Sequence, residues 1–405
     1  MSRRVVITGV GAICALGHDA RATWAGMRDG KSAIAPLAGF DGQDMRVKVA
    51  AQVRDFDPAA HFDSKKLILL DRVSQFALVA AREAVAQSGL DFAQGDLRQR
   101  SACVVGTGTG GEVTNDECSK RLYAEGNPRL HPLSIVRRMM SAPASQVSIE
   151  FGITGPSFAV SSACASSNHA FAQAFALVRS GVADVALAGG TEACLTLGVL
   201  RAWEAMRVLA DDTCRPFCKQ RRGLVLGEGA GMLVLEDFDH ARARGAEILA
   251  EFAGAGMSAD AGDIVMPSDI GAARAMTAAL RDARLAPEDI DYINAHGTAT
   301  PANDPTETRA IHAALGEHAK QVAISSTKSV HGHALGAAGA LEIVAALGAL
   351  RENLLPPTVN FIDPDPDPDP DCVPNAARER EVRAVLSNAF AFGGLNAVVA
   401  LKRAS

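Results

Sequence analysis

Aromatic side chains are scarce in this 405-residue chain. They make up 5%, with two Trp and two Tyr, against 37 Gly. A core without large rings is filled by small residues, which lets helices and strands approach closely. An excess of charge of one sign is also missing. Forty Lys and Arg face 46 Asp and Glu, for a formal net charge of −6. A nucleic-acid-binding surface needs a basic stripe, so nucleic acid is excluded as a partner. No apolar run reaches the ~20 residues of a membrane span. The longest, 334–350, contains Glu342 and is flanked by His333 and Arg351, so no membrane partner is expected. The opening MSRRVVITG enters a strand pattern directly, without the apolar region of a signal peptide, and a cytoplasmic location is expected. The eight cysteines never form C-x-x-C. Neither structural zinc nor a disulfide framework is expected from them.

The rest of the composition is globular, 48% hydrophobic and 21% charged. At roughly 150 residues per domain, the length suggests two or three domains. Strand-like and helix-like runs alternate throughout, which predicts an α/β architecture with buried sheets. Residues 5–9 and 102–106 read as strands, and 67–87 as a helix with a face of alanines. An internal repeat runs through the chain. The segment 158–162 leads through a tight turn into a helix at 166–180, and 322–326 leads through Lys328 and His333 into a helix at 335–350. Residues 102–111 resemble 291–298, residues 183–192 resemble 383–394, and residues 231–236 resemble 396–401. Residues 248–257 restart the series as 5–11 began it. Two similar halves are expected, 1–247 and 248–405. The repeat Asp-Pro sequence at 363–371 reads as an exposed, extended loop.

Cys164 lies between an apolar strand and a helix whose residues Phe171, Ala174, Phe175 and Val178 share one face. Amides at a helix N-terminus lower a thiol pKa and can hold an oxyanion. His296 ends the strand 292–296, and His333 precedes the second small-residue helix. In the repeat, His333 occupies the position of Cys164. If the halves pack about a pseudo-twofold axis, the two helix N-termini converge and bring these residues together.

These residues sit in Val160-Ser-Ser-Ala-Cys-Ala-Ser-Ser167, Asn294-Ala-His-Gly-Thr-Ala-Thr-Pro301, Ser326-Thr-Lys-Ser-Val-His-Gly-His-Ala-Leu-Gly-Ala-Ala-Gly339 and Ser387-Asn-Ala-Phe-Ala-Phe-Gly-Gly394. With the opening VVITGVGAICALG and Leu226-Gly-Glu-Gly-Ala-Gly231, the chain resembles, end to end, the elongating β-ketoacyl-acyl-carrier-protein synthases of the thiolase superfamily. The resemblance implies a five-layered αβαβα fold of two duplicated halves, usually a homodimer, and no cofactor. It implies a decarboxylative Claisen condensation on carrier-bound thioesters. Cys164 would take the acyl chain as a thioester. His296 and His333 would hydrogen-bond the malonyl thioester carbonyl as the enolate forms. The amides of Cys164 and Phe392 would form the oxyanion hole. Lys328 would orient the histidines with Glu342, with Asn396 as a further supporting residue, and Phe392 would gate the site. No catalytic metal is implied, although Asn294, Glu342, Ser387 and Asn388 match positions where some members hold a monovalent cation.

The Cys–His–His set differs from thiolases, which use a second late cysteine, and from initiating synthases, which carry Asn at the His333 position. It also differs from chain-length factors, which lack the nucleophile. A non-catalytic or heterodimeric partner subunit is the competing reading. Ala391, Cys218, Arg222, Asn303 and Leu395 depart from the commonest fatty-acid synthase pattern. A specialised pathway, such as polyketide, aryl polyene or nodulation-type acyl synthesis, is therefore as credible as fatty-acid synthesis. Thr109 falls at an acyl-pocket position often filled by a larger apolar residue, which implies tolerance of long or unsaturated chains. The acidic carrier protein needs a basic docking patch, for which Lys65, Lys66, Arg129 and Arg207 are the candidates.

Overall fold

The computed structural model describes residues 3–40, 44–365 and 371–404. The central residues of the Asp-Pro repeat, 366–370, lie outside the described residues. Its flanks are tied down, with Asp365 paired to Arg221 and Asp371 to Arg378.

Ten strands form the large sheet: β1 (Val5–Cys14), β2 (Ser101–Gly106), β3 (Ser157–Val160), β4 (Val185–Glu192), β5 (Gly229–Asp237), β6 (Ala250–Ala259), β7 (Tyr292–Asn294), β8 (Ala323–Ser325), β9 (Ala384–Ala391) and β10 (Leu395–Lys402). Their order is β8-β7-β9-β10-β6-β1-β5-β4-β2-β3. Read inward from one end it is 3-2-4-5-1, and from the other the same with five added to each number. Strand directions repeat as well. β2 is parallel to β3 and β4, as β7 is to β8 and β9. β5 runs antiparallel to β4 and β1, as β10 does to β9 and β6. Among the described residues, the strands of the two five-stranded units pair only where Val5–Ile7 of β1 meet β6.

The principal helices are α1 (Ala20–Arg28), α2 (Arg72–Ser88), α3 (Ser166–Arg179), α4 (Asp269–Ala283), α5 (Asn303–Leu315) and α6 (Ala338–Glu352). Alternation along the strands distributes them into layers. On β4, Val185 and Leu187 pack with α2, while Ala186 and Ala188 pack with α3. On β9, Leu386 packs with α4 and α5, while Val385 faces the centre. The result is α2, the first strand unit, α3 with α6, the second strand unit, and α4 with α5. Most strands are covered on both faces and read as near-continuous apolar runs, whereas β3 at the edge of the sheet leaves Ser157 and Phe158 exposed.

α6 is buried from Ala338 to Leu350, as a helix apolar on all sides must be. Glycine makes its close approach possible. A Cβ on Gly339 would stand 2.2 Å from Asn168 Oδ1 of α3. α2 begins at Arg72 rather than at 67, because the Asp71 carboxylate caps the amide of Val73 at 3.0 Å. Residues 335–337 form a tighter 3-10 turn ahead of α6.

Candidate active site

The N-terminal ends of α3 and α6 meet at the centre of the molecule, where Ser167 Oγ donates to the Gly336 carbonyl. Cys164 stands on the turn leading into α3. That turn is strained, because Ala163 before it has φ +49°, a left-handed conformation that costs a side-chain-bearing residue free energy. Cys164, His296, His333 and Phe392 line one narrow cavity of about 60 Å³, with Phe390, Asn303 and Asn396 among its other walls.

His296 follows β7 and is fixed through its backbone. Its amide donates to Glu307 Oε1 at 2.8 Å, and the next amide, of Gly297, donates to Glu307 Oε2 at 2.7 Å. Lys328 Nζ donates to the His296 carbonyl at 2.6 Å and lies 3.4 Å from its Nδ1. An ammonium can only donate, so Nδ1 accepts and the ring proton is assigned to Nε2. Lys328 also pairs with Glu342 of α6, in a site with no solvent exposure on either side chain. His333 is held by its main chain, its amide 2.6 Å from the Val225 carbonyl. The two imidazoles stand edge to face with centroids 5.4 Å apart. Burial, the Lys328 charge and the other imidazole push His296 well below the ordinary histidine pKa. Burial, Lys328 and His331 do the same to His333. Both rings are therefore neutral and each carries one N–H.

The thiol differs from the sequence expectation. Burial pushes Cys164 up to about 12, with Lys328 pulling the other way and Glu192 adding to the rise. The helix N-terminus is where the sequence puts it, but desolvation outweighs it in the folded chain. Glu342, buried beside its lysine, is raised to about 7.

Two carboxylates central to this architecture escape a reading by motif. Glu307 clamps His296 and Gly297 and also takes Asn388 Nδ2 at 3.1 Å. Glu192 ends β4 and accepts from the amides of Gly108 at 2.7 Å and Gly336 at 2.9 Å, joining the glycine-rich loop to the start of α6. A lone carboxylate ending an otherwise apolar strand was the available signal. Thr109 also belongs to this network, with its hydroxyl 2.6 Å from Glu192 Oε1. It is not among the walls of the Cys164 cavity.

Asn294 and Ser387 are register partners on β7 and β9. Asn294 Oδ1, Glu342 Oε2, Ser387 Oγ and Asn388 Oδ1 are each buried without a hydrogen-bond partner among the described residues. Asn294, Ser387 and Glu342 face the central layer, where unsatisfied hard oxygens suit an alkali cation, whereas the Asn388 side chain turns to α4 and α5 and meets Met276 and Glu307. Asn396 donates to Asp260 Oδ1 at 2.7 Å and so fixes the loop facing the cavity. Gly393 donates to the Ile264 carbonyl at 2.8 Å, which ties the Phe392 loop to the same segment. Among the basic residues, Lys65, Arg129 and Arg207 are exposed. Lys66 is half-buried and pairs with Glu150 at 3.5 Å. Arg207 lines a recess with Arg46 and Arg222.

A duplicated, layered α/β fold with a cysteine and two histidines at the meeting helix ends defines a thiolase-like condensing enzyme. The family model described as "Beta-ketoacyl synthase, N-terminal domain" matches residues 2–241, and the "Beta-ketoacyl synthase, C-terminal domain" matches 249–362. Nodulation protein E of Rhizobium meliloti (strain 1021) is 51% identical over all of both chains. The 3-oxoacyl-[acyl-carrier-protein] synthase 2 of Coxiella burnetii is 41% identical over 99% of each. Among solved structures, the ishigamide ketosynthase/chain length factor superposes with a TM-score of 0.94 at 36% identity, covering all of both chains. A ketosynthase in complex with its type II polyketide synthase acyl-carrier protein gives 0.90 at 30%, again over all of both chains. The chain belongs to the β-ketoacyl synthase family, as a condensing enzyme of the acyltransferase class. Among the described residues, no helix is long and apolar enough to cross a membrane.

Proposed function

We propose that Cys164 is the acyl acceptor of a β-ketoacyl-[acyl-carrier-protein] synthase and that His296 and His333 activate the malonyl donor. The observation that carries this reading is the shared cavity of these three side chains, with Lys328 bridging His296 and Glu342. The Cys164 sulfur attacks the thioester carbonyl of an acyl-carrier protein, and the carrier thiol leaves with the proton. Malonyl-carrier protein then loses CO₂, and its carbonyl oxygen gathers charge between two neutral N–H donors. The enolate carbon attacks the Cys164 thioester, a C–C bond forms, and the bond to sulfur breaks. The amides of Cys164 and Phe392 hold the oxyanion of the acyl steps, and Phe392 gates entry. Glu342 and Asn396 support the site, while Asn294, Glu342 and Ser387, on the central face, hold a monovalent cation.

Carrier docking rests on Lys65, Arg129 and Arg207, with Lys66 contributing less because Glu150 already holds it. The boundary between the halves falls near 247–248, the enzyme acts as a homodimer, and it works in the cytoplasm. The relatives named nodulation protein E are more similar than those named 3-oxoacyl-[acyl-carrier-protein] synthase 2, which supports a specialised acyl product. Thr109 is proposed to leave the acyl pocket open to long or unsaturated chains; a competition assay won only by short saturated acyl groups would contradict this. The likeness to a ketosynthase/chain length factor supports a second reading, as partner subunit of another synthase. Acyl uptake separates the two. Mass spectrometry after incubation with acyl-carrier protein should reveal an acyl adduct on the wild type that Cys164→Ala lacks.

A further inference from the structure

α3 starts beside Cys164 and ends at Arg179. Its 14 residues, at about 1.5 Å each, set its two ends roughly 21 Å apart. At the far end a recess of about 910 Å³ opens between α3, α4 and β6. Its floor is apolar, built on Phe175 and Phe252 with ring centroids 4.8 Å apart. Its rim is basic. The cations Arg3, Arg4, Arg179, Arg281, Arg284 and Lys402 outnumber the carboxylates Glu251 and Asp282.

Both carboxylates are already engaged. Glu251 is shared by Arg4 and Lys402. Asp282 pairs with Arg179 at 2.7 Å and takes the Ala255 amide at 3.0 Å. Arg3 is held by Asp184. Arg281 and Arg284 are exposed at the end of α4 and have no carboxylate partner among the described residues. This positive surface sits on a chain of net charge −6.

The duplication supplies an internal control. The corresponding recess of the first half lies between α6, α2 and β1, where Gln87 Oε1 takes the Val10 amide at 2.8 Å as Asp282 takes that of Ala255. There α1 lays Trp24 over Gly348, and the indole N–H donates to Glu352 at 2.6 Å. The first recess balances Arg21 and Arg351 against Glu83 and Glu352, whereas in the second no counterpart of α1 is among the lining residues and cations are in excess.

We propose that this recess binds a phosphate-bearing ligand of about nucleotide size, with Arg281 and Arg284 taking the phosphate. Guanidinium forks match phosphate oxygens in pairs, and the volume is that of a small-molecule site. The ligand class lies outside the condensation chemistry, and the site stands whether or not the roles assigned to Cys164 and the histidines hold. A free phosphate ester and the headgroup of an anionic lipid share this chemistry, so two probes are used. Calorimetric titration with ADP tests the first. Co-sedimentation with phosphatidylcholine vesicles, with and without phosphatidylglycerol, tests the second. At least one probe should bind the wild type, more weakly at high salt. The double variant Arg281→Glu/Arg284→Glu should bind that probe about tenfold more weakly or worse, with its melting temperature and Cys164 acylation unchanged. ADP binding alone identifies a free ester, and vesicle binding alone a headgroup. Absence of both, or a variant that binds as tightly as the wild type, overturns the proposal.

Discussion

Lys328 and Glu342 form an ion pair from which water is wholly excluded, both side chains being 0% exposed. The ammonium also reaches the carbonyl of His296, so this pair joins α6 to the turn after β7. Removing one partner strands the other charge in the interior. Lys328→Ala should destabilise the fold by about 3–5 kcal/mol, and Glu342→Ala by a similar amount. The double variant should lose less than the sum, because no charge is left unpaired. Urea denaturation of the three variants measures this coupling. Strict additivity would show that the two groups do not act as a pair.

The thiol of Cys164 offers a direct contest between burial and the helix N-terminus. With its pKa pushed up to about 12, the thiolate fraction near neutrality is small. Iodoacetamide alkylation of the free enzyme should be slower than that of cysteine in a peptide. It should still climb about tenfold per pH unit above pH 8, as the thiolate fraction does below its pKa. A rate that levels off below pH 8 would show that the helix end prevails.

That contest also marks how far a sequence can be read. The order of similar segments contained the duplicated topology, since Val185–Glu192 and Ala384–Ala391 occupy the same place in the two strand units. Cys164, His296 and His333 were legible because each ends a strand or opens a helix, where backbone geometry is local. Glu307 and Glu192 were not, because their partners are amides brought to them only by folding. The pKa of Cys164 failed for the same reason: helix ends are written in the local sequence, while burial depends on every layer. The Asp-Pro repeat reads as an exposed loop, yet Arg221 and Arg378, which tie down its described flanks, are apparent only in three dimensions.

His333 is neutral in the folded chain, whereas the unfolded chain takes up a proton below about pH 6.5. Its contribution to stability is therefore full above pH 6.5 and is lost as the pH falls toward its depressed native value. Asp304 and Glu342, raised to about 6 and about 7, oppose this trend, because the native state keeps their protons longer. Comparison with His333→Asn isolates the histidine. Between pH 6 and 5 the wild type should lose about 1.4 kcal/mol per pH unit more than the variant. Parallel stability curves for the two proteins would show that His333 titrates normally.

The oxygens of Asn294, Ser387 and Glu342, buried without partners among the described residues, make the proposed cation testable apart from activity. Replacing tetramethylammonium chloride by potassium chloride at equal ionic strength should raise the wild-type melting temperature by about 2 °C or more. Ser387→Ala and Asn294→Ala should reduce or abolish that gain. A wild type equally stable in both salts would show that these atoms hold no alkali ion.

If one cavity performs acyl transfer to Cys164 and then condensation, one intact-mass experiment follows both steps. Incubation with acyl-carrier protein should add the acyl mass to the wild type and not to Cys164→Ala. Later addition of malonyl-carrier protein should remove that mass and leave a β-ketoacyl chain, two carbons longer, on the carrier. His296→Ala and His333→Ala should keep the adduct and fail to discharge it, slowed by about 10²-fold or more. A wild type that takes up no acyl group, or a Cys164→Ala variant that condenses as fast as the wild type, would show that Cys164 is not the acyl acceptor.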